Sequence, residues 1–123
     1  MLVGAVVDPV LGLALAVGLG GRQARPSHTV ALRLSPETDA EAGELIDTDA
    51  AVATQLDSFR GSAMLDRKAL RELILRFALL LRKTPEIVEA DLNPARCTAR
   101  GRLVLDPRLR IEPRQPVERA KSW

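Results

Sequence analysis

The chain predicts an α+β domain in which a sheet is packed by two helices. Three observations carry this. Short apolar or alternating runs open and close the chain, one long amphipathic run lies between them, and Pro or Gly separates the pieces. The 123 residues suit one small domain with a single core. Only 2% of residues are aromatic, so that core must be built from Leu, Val, Ile and Ala.

Leu2–Val7 is apolar and rich in β-branched residues, which predicts a buried strand. Asp8-Pro9 is a turn signal, and Leu13–Leu19 is a second strand ending in Gly18-Leu19-Gly20-Gly21. Arg22–His28 reads as a polar loop, and Thr29–Leu34 as a third strand closed by Ser35-Pro36. Thr38–Ala53 predicts an acidic helix and Gln55–Leu65 an irregular stretch containing Phe59-Arg60-Gly61. Asp66 offers an N-cap to the strongest helix. Leu70, Leu73, Ile74, Phe77, Leu80 and Leu81 recur along it at spacings of three and four, giving one apolar face. Thr84-Pro85 ends it, because the residue before proline is disfavoured in a helix.

Ile87–Asn93 then alternates. Val88, Ala90 and Leu92 point one way, and Glu89, Asp91 and Asn93 the other. Arg102–Asp106 is the next strand, with Leu109–Ile111 continuing it beyond Pro107. The domain is expected to span residues 1–112. Residues 113–123 carry proline and charge without periodicity and are expected to be a disordered tail.

Several function classes are disfavoured. A net charge of +2 and a scarcity of aromatics argue against a nucleic-acid partner. A lone histidine, His28, cannot build a histidine-based zinc site, and a lone Cys97 cannot form an internal disulfide. The cysteine usage fits a reducing, cytoplasmic compartment, with Cys97 a passive hairpin residue. The apolar stretch from Met1 to Gly21 raises a signal peptide or membrane anchor. No basic residue precedes it, Asp8-Pro9 interrupts it, and five glycines divide it into lengths suited to strands, so no membrane partner is expected. Charge is segregated: residues 35–66 are acidic and residues 95–123 are rich in arginine. The simpler reading is an acidic helix surface and a basic hairpin surface.

One pair of residues suggests chemistry. If the strands around residues 86–111 form a hairpin turning near Ala99-Arg100, then Asn93 and Asp106 lie opposite each other. Side chains opposed in this way have Cβ atoms about 5 Å apart. One amide oxygen and one carboxylate, with phosphate oxygens and water, match what magnesium asks of its ligands. Asp91 and Glu89 share the Asn93 face and add negative potential. On spacing alone, a solvated acidic strand face beside an Asn-Pro turn is the more ordinary explanation.

The order of short motifs along the chain favours the metal. It runs Asp8-Pro9, Gly12, Gly18-Leu19-Gly20-Gly21, Ala31-Leu32-Arg33-Leu34-Ser35-Pro36, and Phe59-Arg60-Gly61 with Asp66 and Ala69-Leu70. It ends in Pro85-Glu86-Ile87, Glu89-Ala90-Asp91-Leu92-Asn93-Pro94 and Val104-Leu105-Asp106-Pro107-Arg108. This order resembles the C-terminal portion of the ATP-grasp domain of NDP-forming acyl-CoA synthetases. That group includes ADP-forming acetate–CoA ligases and proteins fused to acetyltransferase domains and, more distantly, the β subunit of succinyl-CoA synthetase. The resemblance implies that Asn93 and Asp106 hold the magnesium of a bound ATP or other nucleoside triphosphate, with Asp91 in a supporting role. It implies reversible formation of acyl-CoA, ADP and phosphate from an acid, CoA and ATP, through an acyl phosphate and a phosphohistidine.

The departures from that pattern are as informative. A usual Phe-Gly-Pro is here Leu11-Gly12-Leu13, and the segment after Gly21 is Arg22-Gln23-Ala24-Arg25-Pro26. The glycine-rich stretch is no P-loop, since no Gly-Lys-Ser/Thr follows. The earlier half of the ATP-grasp domain, with its phosphate-reaching lysine, has no counterpart here. Neither does the phosphohistidine domain, and His28 does not match its histidine. The expected partners are therefore that N-terminal half and a CoA-binding, phosphohistidine-bearing domain or subunit, and self-association is open through surface left uncovered. The competing expectation is a non-catalytic relic acting as a folding or protein-interaction module. A membrane-anchored small protein ranks last.

Overall fold

The computed structural model describes residues 1–20, 31–36, 38–58, 66–98 and 100–113. Among the described residues, seven strands and three helices are formed in the order β1 Leu2–Asp8, β2 Gly12–Gly18, β3 Ala31–Leu34, α1 Asp39–Thr48, α2 Ala50–Ser58, α3 Arg67–Lys83, β4 Ile87–Leu92, β5 Ala95–Thr98, β6 Gly101–Val104 and β7 Pro107–Ile111. Five strands make one sheet in the order β3-β2-β1-β4-β7, and β5 and β6 make a second, two-stranded sheet. Every pairing is antiparallel.

The β1–β2 hairpin turns where the sequence signals it. The Asp8 carboxylate accepts hydrogen bonds from the backbone N–H groups of Val10 (2.7 Å) and Leu11 (2.8 Å). Gly12 then takes a φ of 85°, a region open to glycine at little cost. Strand alternation sends Val3, Ala5, Leu15 and Val17 to one face of the sheet, where they join Ala90 and Leu92 of β4 and the helices in a single core.

The expected acidic helix is two helices. Thr38 caps α1 through a capping box: its hydroxyl accepts from the Glu41 N–H at 3.2 Å and its own N–H donates to the Glu41 carboxylate at 3.0 Å. The break falls at Asp49, an extended residue whose buried carboxylate accepts from the N–H groups of Ala51 (2.9 Å) and Val52 (3.1 Å). Asp49 thus ends α1 and starts α2. Residues 55–58, expected to be irregular, continue α2. Residues 59–65, with the Phe59-Arg60-Gly61 motif, lie outside the described residues, as do Arg22–His28, the start of the third predicted strand, and 114–123 of the expected tail.

Asp66 caps α3 by accepting from the Ala69 N–H at 2.8 Å. Leu70, Ile74, Phe77, Ala78 and Leu81 are buried along α3, whereas Leu80 is half exposed. The inner stripe therefore uses Ala78 in place of the expected Leu80. The acidic surface is not free-standing either. Arg71 of α3 meets Asp39 at 2.8 Å, Arg67 meets Asp47, and Arg33 of β3 meets Glu44. Such exposed pairs contribute about 0–1 kcal/mol each, so they orient α1 more than they hold it. No described helix is long and apolar enough to cross a membrane.

Candidate functional site

The C-terminal hairpin positions the candidate site. β4 pairs with β7 from Leu92↔Pro107 to Glu89↔Arg110, and β5 pairs with β6 from Ala95↔Val104 to Thr98↔Gly101. The Leu105 N–H donates to the Pro94 carbonyl at 3.0 Å, and the Asn93 N–H reaches the Asp106 carbonyl at 3.5 Å. The residue-for-residue register is the same from Glu89↔Arg110 to Thr98↔Gly101, shifting only between Ile87 and Glu89, so the two sheets share one long hairpin. It bends where Asn93-Pro94 faces Leu105-Asp106, and the Asn93–Pro94 peptide is cis.

This corrects the expected pairing in one respect and bears it out in another. The direct partner of β4 is residues 107–111, not 102–106, because Pro107 starts a strand instead of ending one. Proline lacks an N–H, and an edge strand tolerates that on its unpaired side. The hairpin does close with Thr98 paired to Gly101, and Asn93 does stand opposite Asp106.

Their surroundings are set by the sheet. The helices cover one face only. On the other, small side chains of β1 and β2 (Gly4, Ala14 and Ala16) floor a shallow concavity of about 310 Å³, and Glu89 and Asp91 stand at its wall. Asp91 pairs in register with Gly4 on one side and Arg108 on the other. The two-residue strand period places Asp91, Asn93, Asp106 and Arg108 on this same open face. The half-exposed Asp106 carboxylate accepts from the Arg108 guanidinium at 3.3 Å, and Arg110 reaches Glu89 at 3.2 Å. The basic hairpin thus interleaves its arginines with the carboxylates it adjoins.

The donor set fits a magnesium ion that brings most of its own shell. Asn93 and Asp106 offer oxygens only. Among the described residues no three His, Cys, Asp or Glu side chains group into a complete protein cage. Magnesium bound through one or two protein oxygens plus phosphates and water needs no such cage. Cys97 takes no part. It is buried beside α3, burial pushes its thiol up to about 11, and its carbonyl accepts from the Asp66 N–H at 2.7 Å. It is a structural residue of β5. His28 lies outside the described residues.

The described residues thus form a five-stranded antiparallel sheet backed by helices on one face, with Asn93 and Asp106 opposed beyond the end of β4. The sequence pattern of the ATP-grasp domain matches residues 1–111, and the chain belongs to that family. Its relatives include ADP-forming acid–CoA ligases. The chain is 33% identical over 109 residues to acetate–CoA ligase [ADP-forming] I of Archaeoglobus fulgidus, covering 89% of this chain and 16% of that enzyme. It is 31% identical to the β subunit of the Pyrococcus furiosus acetate–CoA ligase [ADP-forming] I, with 89% of this chain and 47% of the subunit covered. Among solved structures it matches the dinucleotide-forming acetyl-coenzyme A synthetase 1 of Ca. Korarchaeum cryptofilum in complex with coenzyme A and Mg-AMPPCP. There the TM-score is 0.79 and the identity 29%, with 90% of this chain and 52% of that chain covered. The chain thus spans about half of the Pyrococcus furiosus β subunit and of the solved synthetase chain, and 16% of the Archaeoglobus fulgidus enzyme.

Proposed function

We propose that this chain supplies the magnesium–nucleotide corner of an NDP-forming acyl-CoA synthetase, with Asn93 and Asp106 as the protein's metal ligands and Asp91 in support. The observation that carries the reading is the opposition of Asn93 and Asp106 at the bend of one hairpin, on the uncovered face of the sheet. The matched synthetase solved with Mg-AMPPCP and coenzyme A supports the choice of nucleotide and co-substrate.

The reaction is the reversible conversion of an acid, CoA and ATP into acyl-CoA, ADP and phosphate. Phosphoryl transfer depends on positioning and on neutralising phosphate charge, and magnesium held at this corner supplies that neutralisation. The chain's own residues hold and orient. Asp106 contributes a full negative charge, the Asn93 amide a neutral oxygen, and Asp91 raises the local negative potential. Arg108 neutralises part of this charge at Asp106.

The chain works with an N-terminal ATP-grasp half and with a CoA-binding, phosphohistidine-bearing domain or subunit, and is inactive without them. The coverage figures support this. Calorimetric titration of Mg-ATP tests it, on the chain alone and with the N-terminal half of a related β subunit added in trans. Binding is expected with the added half and should fall ~10–100-fold for Asn93→Ala and for Asp106→Ala. Absence of binding in both settings, with the chain folded, overturns the reading in favour of a non-catalytic interaction module.

A further inference from the structure

The glycine-rich stretch Gly18-Leu19-Gly20-Gly21 fits neither a phosphate loop nor a dinucleotide fingerprint. The structure gives one of its glycines a different task. β1 lies between β2 and β4 in the sheet, and Leu2 pairs with Gly18. After β2 ends, Gly20 sits over the start of β1 and reaches the corner at the end of β4. A Cβ placed on Gly20 would stand 2.5 Å from the Met1 carbonyl oxygen and 2.8 Å from Oδ1 of Asn93. Both separations lie well inside van der Waals contact, and the first is to backbone, which cannot swing aside. Gly4 on the open face differs in kind: a Cβ there would meet nothing nearer than 3.6 Å.

We propose that Gly20 is a positioning residue for the Asn93 amide. Its bare backbone packs on the amide and fixes the direction in which Oδ1 points. This inference rests on the reading of Asn93 as a metal ligand. A ligand whose oxygen is displaced loses metal affinity even when its own identity is unchanged, and supporting groups of this kind account for ~10–100-fold in metal binding. Glycine is required at this position because backbone has to approach backbone and amide together. The requirement is steric, since Gly20 does not take the positive φ of Gly12 and Gly101.

Two measurements test it. In the wild-type chain, nuclear Overhauser contacts are expected between the Gly20 Hα protons and the Asn93 side-chain NH₂. Their absence overturns the inference, and this readout stands even if no Gly20 variant folds. The second is a double-mutant cycle on Mg-ATP affinity, with the N-terminal half supplied. Gly20→Ala should weaken binding ~10–100-fold in the wild-type background and shift the Asn93 NH₂ resonances. Added to Asn93→Ala, it should cost little more. An equal loss in both backgrounds means that Gly20 acts elsewhere and overturns the inference. So does full affinity in Gly20→Ala while Asn93→Ala is impaired, a result that leaves the metal corner standing. If Asn93→Ala itself binds normally, the corner reading fails and the inference goes with it.

Discussion

The two faces of the five-stranded sheet are built from different residues for different ends. The helix-covered face presents Val3, Leu15 and Val17 to α1, α2 and α3, and each is fully buried. The open face, on the same strands one residue out of step, presents Gly4, Ala14 and Ala16, flanked by Glu89, Asp91, Arg108 and Arg110. A strand that alternates large with small holds the fold on one side and leaves room on the other. The difference teaches that the side chains that hold the fold and those that face the open concavity are separable here, residue by residue, along a single strand.

The largest expected effect comes from breaking the covered face. Leu15→Ala removes a side chain with no exposed surface from the centre of the core and should cost about 2–5 kcal/mol in urea unfolding. Val6→Ala, on the adjoining strand but on the open face with 44% of the residue exposed, should cost about 1 kcal/mol or less. Equal losses for the two would erase the distinction between the faces. The smallest effect sharpens it at the turn that joins β1 to β2. Backbone N–H donation from Leu11 and Val10 holds the Asp8 carboxyl below its ordinary range. The ionised form is therefore the one the fold favours. Its contribution is present above the ordinary carboxylate range and is lost as pH falls through the lowered folded value. Asp8→Asn should remove this small acid-side dependence from a profile of melting temperature against pH and leave the neutral side of the curve in place.

Much of this was legible in the sequence because the signals were local. The Leu2–Val7 run, the Asp66 cap and the Asn93–Asp106 opposition rest on spacing within one strand, one helix or one hairpin, and each stands in the structure. The division of Thr38–Ala53 was missed although its signal was available. Asp49 is a good N-cap in the middle of a run that otherwise reads as helix, and only its burial against the N–H groups of Ala51 and Val52 decides for a break. The partner of β4 was misplaced because Pro107 read as a stop, and whether a strand lies at an edge is a property of the assembled sheet. Asn93 was singled out without the glycine beside it, since Gly20 reaches Asn93 across a strand that comes before both.

The position of β1 has a consequence for how the chain is made. Val3 pairs with Leu92, so β1 waits for a strand synthesised only after α1, α2 and α3 before its second edge is satisfied. Until then β1 and β2 form a meander with an open apolar edge, the kind of surface that recruits other chains. Pairings between residues so distant in sequence also form slowly, because loop closure has to come first. During translation β1 therefore remains an unprotected template until β4 has left the ribosome, and chaperone dependence should concentrate in that interval.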